Sequence, residues 1–315
     1  MTIRIAGSTG LLGASGAPFL GGASDRPAEW ERQLRILWHH GFRDLDVSEM
    51  WLFFTGLDEH RRRDLVEMIG DIGFNVVGVS LVGGIRLADP ETAEAEYERV
   101  CTALEFAQAL GAAHLSYTPR TPPPVLRSQM PLPASLAEAS SRGPHRTPFT
   151  EAQAEVLADG LRGLVREGRG RGIRMCVEMN EITLDTAAAV RDLLDRVGEP
   201  DLGVNPDLGN LLRAPWALPE HWSATIEGVA DRISYWHVKS GYRVEPAGGP
   251  IVHHPCPLEL GTINYRHMLW LALRAGFDGP IVIEHYGGDA LGIATKGLPY
   301  LRALLDDLEA YGPAV

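Results

Sequence analysis

The sequence predicts a single-domain (β/α)8 barrel that spans residues 1–315. Short runs of apolar, β-branched residues alternate with longer segments of helical periodicity, and eight such strand and helix pairs follow one another. Such regular alternation is typical of a parallel sheet covered by helices. The length of 315 residues also fits one α/β barrel, which commonly runs to about 250 residues or more.

The eight predicted pairs follow in chain order. Runs such as NVVGVS and IRMCVE are rich in Val and Ile, which favour buried strands, whereas the segment 91–110 is rich in Ala and Glu, which favour helices. Strands are expected at Ile3–Ala6, Leu45–Val47, Asn75–Ser80, Ala113–Tyr117, Ile173–Glu178, Leu202–Asn205, Ile233–Val238 and Pro280–Glu284. The helices that follow them are expected at Ala28–His40, Glu59–Ile72, Glu91–Leu110, Phe149–Arg169, Asp185–Val197, Pro219–Ala230, Tyr265–Ala275 and Leu298–Tyr311.

Two long segments interrupt this alternation. Residues 119–148 are rich in Pro and Ser and follow the fourth strand, and residues 240–262 follow the seventh. In a barrel, both segments lie on the face at the carboxyl ends of the strands, where active sites are built. Long loops in a compact domain are usually lids or binding loops, so we expect both segments to border a binding site. Disordered surface insertions are the alternative interpretation.

Composition and charge narrow the class of protein. Hydrophobic residues make up 45% of the chain and charged residues 22%, which is typical of a folded domain with a large core. The net charge of -12 argues against a nucleic-acid partner, because phosphate binding needs clustered Lys and Arg. The three cysteines, Cys101, Cys176 and Cys256, are far apart in the sequence. This spacing indicates neither a disulfide framework nor a zinc knuckle. No apolar run reaches the roughly 18 residues of a membrane span, and a cytoplasmic protein that does not bind membranes is expected.

The glycines of the first segment suggest a competing class. Gly7, Gly10 and Gly13 in IRIAGSTGLLG resemble the phosphate loop of a dinucleotide-binding fold. Such a loop must open directly into a helix, but residues 14–18 and Gly21-Gly22 interrupt helical periodicity. The sequence therefore does not predict nicotinamide cofactor binding.

Metal-competent side chains end four successive predicted strands. These residues are Glu178, Asp207, His237 and Glu284. Neighbouring barrel strands lie about 4.8 Å apart, so their carboxyl ends can bring four side chains to one ion. Three carboxylates and one imidazole suit Mn²⁺, Mg²⁺ or Co²⁺, with Zn²⁺ also possible. The sequence therefore predicts one divalent metal site, with Mn²⁺ as the favoured ion.

The motifs around these residues resemble the xylose-isomerase-like barrel superfamily, which includes sugar isomerases, sugar epimerases, inosose dehydratases and endonuclease IV enzymes. The likeness runs over the whole chain and is strongest from Ile173 to Gly288. The motifs that carry it are CVEMN with Glu178, NPDLGN with Asp207, WHVK with His237 and DGPIVIEHY with Glu284. The segment LGTINY at 260–265 also resembles the family's loop before its last crossover helix.

The resemblance implies a metal-dependent sugar isomerase or epimerase. In the epimerases that it resembles, the residues matching Glu178 and Glu284 remove and return a proton beside a metal-bound carbonyl and hydroxyl. Arg243 matches their sugar-binding Arg. Two positions depart from the epimerase pattern: Asn210 stands where they have a His, and Leu184 where they have a second Glu. The acidic composition disfavours the endonuclease IV branch.

The resemblance leaves an alternative activity, a metal-dependent lyase on oxidised sugars that is similar to a C-glycoside deglycosidase catalytic subunit or to an inosose dehydratase. The catalytic subunits of bacterial C-glycoside deglycosidases resemble the same superfamily, eliminate an aglycone from oxidised sugars with a loop His, and need a small β-sandwich partner. His145 in the 119–148 segment is a candidate for that His and for a general base. Lys239, Arg243 and Asn210 are candidates for substrate binding. A small sugar or glycoside is the expected ligand, and relatives are often homo-oligomers.

Overall fold

The computed structural model describes residues 3–14, 26–121, 147–212, 218–244, 251–286 and 289–311. Within these residues the chain forms ten strands: β1 (Ile5–Ser8), β2 (Asp44–Ser48), β3 (Asn75–Gly84), β4 (His114–Pro119), β5 (Arg174–Glu178), β6 (Gly203–Asn205), β7 (Trp236–Val238), β8 (Ser240–Val244), β9 (Val252–Cys256) and β10 (Ile281–Ile283). The same residues form ten α-helices: α1 (Gly10–Ala14), α2 (Pro27–His39), α3 (Glu59–Ile72), α4 (Ala93–Ala109), α5 (Glu151–Gly170), α6 (Ala187–Val197), α7 (Leu208–Leu212), α8 (Trp222–Val229), α9 (Tyr265–Arg274) and α10 (Ala290–Tyr311).

Eight of the strands form one parallel sheet in the order β6-β5-β4-β3-β2-β1-β10-β7. The sheet is nearly closed, because Val204 in β6 makes a parallel bridge to Ile233, which lies just before β7. The helices lie between successive strands and bury apolar faces against them, as Leu34 of α2 and Leu161 of α5 show. The predicted single-domain (β/α)8 barrel is confirmed.

The helix boundaries follow their capping residues. The Asp58 side chain accepts from the backbone N–H of Arg61 at the start of α3, and Gly73 ends that helix with a φ of 97°. Helix α6 begins two residues after its predicted start, because the Thr186 hydroxyl caps it by accepting from the Ala189 N–H. Most predicted boundaries therefore differ from the structure by only a few residues.

The last helix begins much earlier than predicted. It starts at Ala290 rather than Leu298, and Pro299 lies inside it. The Asp289 carboxylate accepts from the backbone N–H of Gly292 at 2.9 Å and so provides the cap that defines the earlier start.

Two expectations about irregular segments also change. The predicted 240–262 loop contains an antiparallel hairpin, in which β8 pairs with β9 from Ser240 opposite Cys256 to Val244 opposite Val252. The short helix α1 follows β1 and spans Gly10–Ala14, within the glycine-rich segment. Most of the 119–148 segment, residues 122–146, lies outside the described residues.

One aromatic side chain crosses the barrel interior. Tyr235 is fully buried, and its hydroxyl donates to Asp46 Oδ1 at 2.7 Å. Gly78 on β3 makes room for it, since a Cβ at that position would lie 2.6 Å from the Tyr235 hydroxyl oxygen. Tyr235 therefore links the residues just before β7 to β2 across the barrel interior. Among the described residues, no helix is both long and apolar enough to cross a membrane.

Candidate metal centre

The four predicted ligand residues meet at the carboxyl end of the barrel. Glu178 is the last residue of β5 and His237 lies in β7, while Asp207 and Glu284 follow β6 and β10 closely. These are four consecutive strands around the barrel, so Glu178 and Glu284 come from the two outer strands. One possible ligand atom from each residue lies within 4.8 Å of the others, and all four side chains are buried. The sequence predicted this convergence, and the structure brings the side chains together.

Asp207 is held in place by the turn after β6. Its backbone N–H donates to the Asn205 carbonyl at 2.9 Å, and its Oδ1 accepts from the Asn210 N–H at 3.2 Å at the start of α7. A short polar side chain at this position satisfies a free N–H of the helix. The same residue therefore follows the strand closely, caps the helix and presents a carboxylate to the centre.

The imidazole of His237 links the carboxylates. Its Nδ1 lies 2.9 Å from Glu178 Oε1 and 3.6 Å from Glu284 Oε2. The other carboxylate oxygen of Glu178 accepts from the Thr118 hydroxyl at the end of β4. The backbone N–H of His237 donates to Asn205 Oδ1 at 2.8 Å. Side chains from three strands thus fix the orientation of Glu178 and His237.

Lys239 lies inside the centre rather than beside it. Its Nζ forms ion pairs with Asp207 Oδ2 and Glu284 Oε2, and the residue is almost fully buried. The Tyr265 hydroxyl donates to the Lys239 carbonyl at 2.6 Å and holds the backbone there. The predicted substrate-binding residue thus shares two carboxylates with the candidate metal site.

Burial and charge shift the pKa values of the centre. Burial disfavours ionisation of Glu178, but the hydrogen bond and charge of His237 outweigh it and lower the pKa of Glu178 below its usual range. Burial also disfavours the imidazolium, but the charge of Glu284 and the hydrogen bond to Glu178 raise the pKa of His237 to about 10. Burial and the neighbouring carboxylates raise the pKa of Asp207, despite the charge of Lys239. The carboxylates therefore repel one another and favour added positive charge.

A fourth buried carboxylate lies behind His237. Asp46 on β2 is 3.9 Å from His237 Nε2, measured to its Oδ2. Its oxygens accept hydrogen bonds from the hydroxyls of Ser8, Ser80 and Tyr235. This residue was not predicted as part of the site from the sequence. The sequence feature that could have identified Asp46 is an acidic residue between two apolar residues of a strand. Leu45 and Val47 face the helices, and because side chains alternate along a strand, Asp46 faces the barrel interior.

The other predicted site residues have separate positions. The Asn210 side chain donates to the Met179 carbonyl at 3.1 Å, so it braces the loop after β5. Arg243 on β8 donates from Nη1 to the Leu212 carbonyl at 2.8 Å, at the end of α7. Their roles toward a substrate remain predictions. His145 lies outside the described residues.

The residues present fit a divalent cation. Among the described residues, four buried carboxylates, counting Asp46, face two groups that can carry positive charge, His237 and Lys239. Buried carboxylates need such compensation, because unpaired charges are costly in a low-dielectric interior. Three carboxylates and one imidazole are ligands for hard or borderline divalent ions. The centre can hold one metal ion, through the four residues that the strand ends bring together.

Known proteins share this architecture. The sequence profile of the xylose isomerase-like TIM barrel family matches residues 34–304. A xylose isomerase-like TIM barrel protein from Mycobacterium smegmatis, solved in complex with magnesium, is 27% identical, with a TM-score of 0.82 over 96% of this chain and 97% of that chain. No curated protein matches the sequence significantly.

Two more distant structures share the fold alone. An L-ribulose 3-epimerase is 16% identical, with a TM-score of 0.68 over 98% of this chain and 96% of that chain. A probable 3-DHS dehydratase from Bacillus anthracis, involved in petrobactin synthesis, is 14% identical, with a TM-score of 0.63 over 95% of this chain and 99% of that chain. This barrel therefore occurs in proteins described as epimerases and as dehydratases.

Proposed function

Because the chain belongs to the xylose isomerase-like TIM barrel family, we propose that it is a divalent-metal-dependent sugar isomerase or epimerase. The observation that carries this proposal is the set of four buried, ligand-competent side chains within 4.8 Å of one another. Glu178, Asp207, His237 and Glu284 would hold the ion. Mn²⁺ is the first ion to test, and Mg²⁺ is supported by the magnesium complex of the Mycobacterium smegmatis protein.

The bound ion would supply a Lewis acid that makes the C–H between a carbonyl and an adjacent hydroxyl more acidic. The chain's own residues would move the proton. Glu178 and Glu284 come from the two outer strands of the centre, so they approach a common point from different sides. One carboxylate would accept the proton from carbon and the other would return a proton. Return to the opposite face gives epimerisation, and return to the neighbouring carbon gives isomerisation.

The surrounding residues would orient these carboxylates. The Thr118 hydroxyl donates a hydrogen bond to Oε2 of Glu178. The other oxygen, Oε1, therefore faces His237 and the centre. The lowered pKa of Glu178 keeps its carboxylate ionised at neutral pH, which is the state that binds a metal ion. Lys239 contacts Glu284 and Asp207, so a small movement of its flexible side chain would bring Nζ to a substrate oxygen. We therefore assign Lys239 to substrate binding within the centre.

A panel of unphosphorylated sugars incubated with Mn²⁺ in D₂O tests the reaction. Deuterium from solvent should enter the recovered sugar at the carbon that loses its proton, as mass spectrometry and NMR would show. Glu227→Gln changes an exposed glutamate of α8 and should leave this exchange unchanged. A panel without exchange or conversion in the metal-loaded protein would overturn the isomerase and epimerase proposal.

The same panel separates the lyase alternative. It should include 3-oxo-glycosides, assayed with and without a small β-sandwich subunit of the kind that deglycosidases need. Release of an aglycone without deuterium in a recovered sugar would favour elimination over proton return. The lyase alternative is supported by two departures from the ketose 3-epimerase pattern. Asn210 stands where those enzymes have a His, and Leu184 stands where they have a Glu.

A further inference from the structure

We propose that Asp46 is a positioning residue for His237: it holds a proton on Nε2 and so turns the Nδ1 lone pair toward the bound cation. The proposal rests on the proposed function in one respect, that the centre binds a divalent ion. It extends the site to strands β1, β2 and β3, on the side of the barrel that contributes none of the four ligands.

The two nitrogens of His237 face different groups. Nδ1 lies 2.9 Å from Glu178 Oε1 and 3.6 Å from Glu284 Oε2, on the side of the other ligands. Nε2 points away from them and lies 3.9 Å from Asp46 Oδ2. Only Nδ1 is placed to share a cation with the two glutamates. A neutral imidazole that ligates through Nδ1 must carry its proton on Nε2.

The position of Asp46 is fixed from three strands. Ser8 at the end of β1 and Ser80 in β3 each donate a hydroxyl to Asp46 Oδ2 at 2.9 Å. Tyr235, just before β7, donates its hydroxyl to Oδ1 at 2.7 Å. The carboxylate is fully buried. These donors are neutral, so they orient the carboxylate without balancing its negative charge, and the imidazole of His237 is the adjacent group that can balance it.

The separation of 3.9 Å is longer than a hydrogen bond, and His237 Nε2 has no hydrogen-bond partner within the part of the chain that the structure describes. A shift of about 1 Å would bring Nε2 and Oδ2 into hydrogen-bond distance. Histidines that ligate metals almost always donate their second N–H to a carboxylate, a carbonyl or water, which fixes the tautomer and strengthens the ligand. Asp46 is the carboxylate at this place, and its Oδ2 already faces the ring.

A purely structural role is the competing explanation. In that case Asp46 would only tie Ser8, Ser80 and Tyr235 together across the barrel. Asp46→Asn separates the two roles, because an amide keeps the shape and much of the hydrogen bonding but removes the charge facing His237. Asp44→Asn is the matched control, since Asp44 lies on the same strand but pairs with the exposed Arg4 at 3.4 Å.

The test measures Mn²⁺ affinity by calorimetry for the unaltered protein and both variants. Asp46→Asn should weaken binding about 10- to 100-fold, the usual effect of losing such a partner, while Asp44→Asn changes it less than about twofold. In Zn²⁺-loaded protein, ¹⁵N NMR should show His237 protonated on Nε2. Affinity unchanged by Asp46→Asn, or a proton on Nδ1 in the Zn²⁺-loaded protein, would overturn the proposal.

A second variant covers the case in which Asp46→Asn does not fold. Tyr235→Phe removes one hydroxyl that orients Asp46 and should weaken Mn²⁺ binding about three- to tenfold. Unaltered affinity in this variant would also count against Asp46. Failure of the two proposals is distinguishable: metal binding without sugar turnover overturns the proposed function alone, whereas equal affinities with intact turnover overturn the role of Asp46 alone.

Discussion

Glu284 is proposed both to bind the ion and to transfer a proton. Its Oε2 contacts Lys239 and lies 3.6 Å from His237 Nδ1. Glu284→Gln keeps the size of the side chain and an oxygen for the ion but cannot accept a proton. We expect kcat to fall about 10²- to 10⁴-fold while the circular dichroism spectrum stays unchanged. Turnover within a few-fold of the unaltered protein, under conditions that keep the ion bound, would remove the proton-transfer role.

The pKa of His237 makes metal binding dependent on pH. Because neighbouring carboxylates raise this pKa to about 10, the imidazole is protonated at neutral pH and must lose a proton to act as a ligand. Mn²⁺ affinity should therefore rise with pH, by about tenfold per pH unit below 10 for one released proton. Calorimetry at pH 7 in buffers of different ionisation enthalpy measures the proton release directly. Binding without proton release would contradict the assigned ligand.

At the residue scale, the four ligands are recognisable in the sequence and their supporting residues are not. Glu178, Asp207, His237 and Glu284 lie at or near the carboxyl ends of consecutive strands, so topology alone predicts that they meet. The contact of Thr118 with Glu178 depends on the register that places Tyr117 opposite Val177. The register between two strands that are far apart along the sequence has no local signature in the sequence. The burial of Lys239 between two carboxylates could not be predicted for the same reason.

At the element scale, helix α4 is attached to the barrel by a buried ion network. Arg99 on α4 pairs with Glu96 at 2.6 Å and with Glu49, which follows β2, while Arg86 and Tyr117 also contact Glu96. Arg99→Met would leave Glu49 without this partner in a buried position. We expect the free energy of unfolding to fall by about 3 kcal/mol, as measured by urea denaturation.

The control for this variant is an exposed ion pair of the same type. Arg63 on α3 pairs with Glu59 at 2.8 Å, and its side chain is 61% exposed. Arg63→Met should change the free energy of unfolding by no more than about 0.5 kcal/mol, because solvent screens such pairs. If Arg99→Met lowered the free energy of unfolding by as little as Arg63→Met, the Arg99 network would not be important for stability.

The elements differ in how far the sequence predicts them. Helices with strong caps, such as α3 with Asp58 and Gly73, have boundaries close to the predicted ones. Helix α10 contradicts the prediction because a proline in its interior, Pro299, resembles a helix start. The hairpin of β8 and β9 was missed because its strands are short and contain glycine and proline, which usually indicate loops.

At the scale of the whole molecule, metal binding should stabilise the fold. The ion would relieve repulsion among three carboxylates, which lie at or just after the ends of β5, β6 and β10, and these side chains do not converge in the unfolded chain. At a free Mn²⁺ concentration about 100 times Kd, the expected gain is about 2.7 kcal/mol. For a chain of 315 residues this corresponds to a rise in Tm of about 4 °C. Asp207→Asn should reduce the rise, and EDTA should reverse it; a Tm indifferent to Mn²⁺ would count against the site.

The whole fold was more predictable than its details. Eight strand and helix pairs in sequence admit few architectures, because parallel strands need crossover helices and right-handed connections. The order of the sheet follows from that rule, and the structure shows it from β6 to β7. The side chains that face one another across the barrel interior, such as Tyr235 and Asp46, follow from strand stagger, which the order of elements does not determine.

Anomalous diffraction at the manganese edge, from crystals grown with Mn²⁺, tests most directly whether four strand ends share one cation. One peak is expected among Glu178, Asp207, His237 Nδ1 and Glu284, with ligand distances of about 2.0–2.4 Å. A peak coordinated by other residues, or full exposure to Mn²⁺ without a peak at this position, would contradict the metal centre and the chemistry proposed for it.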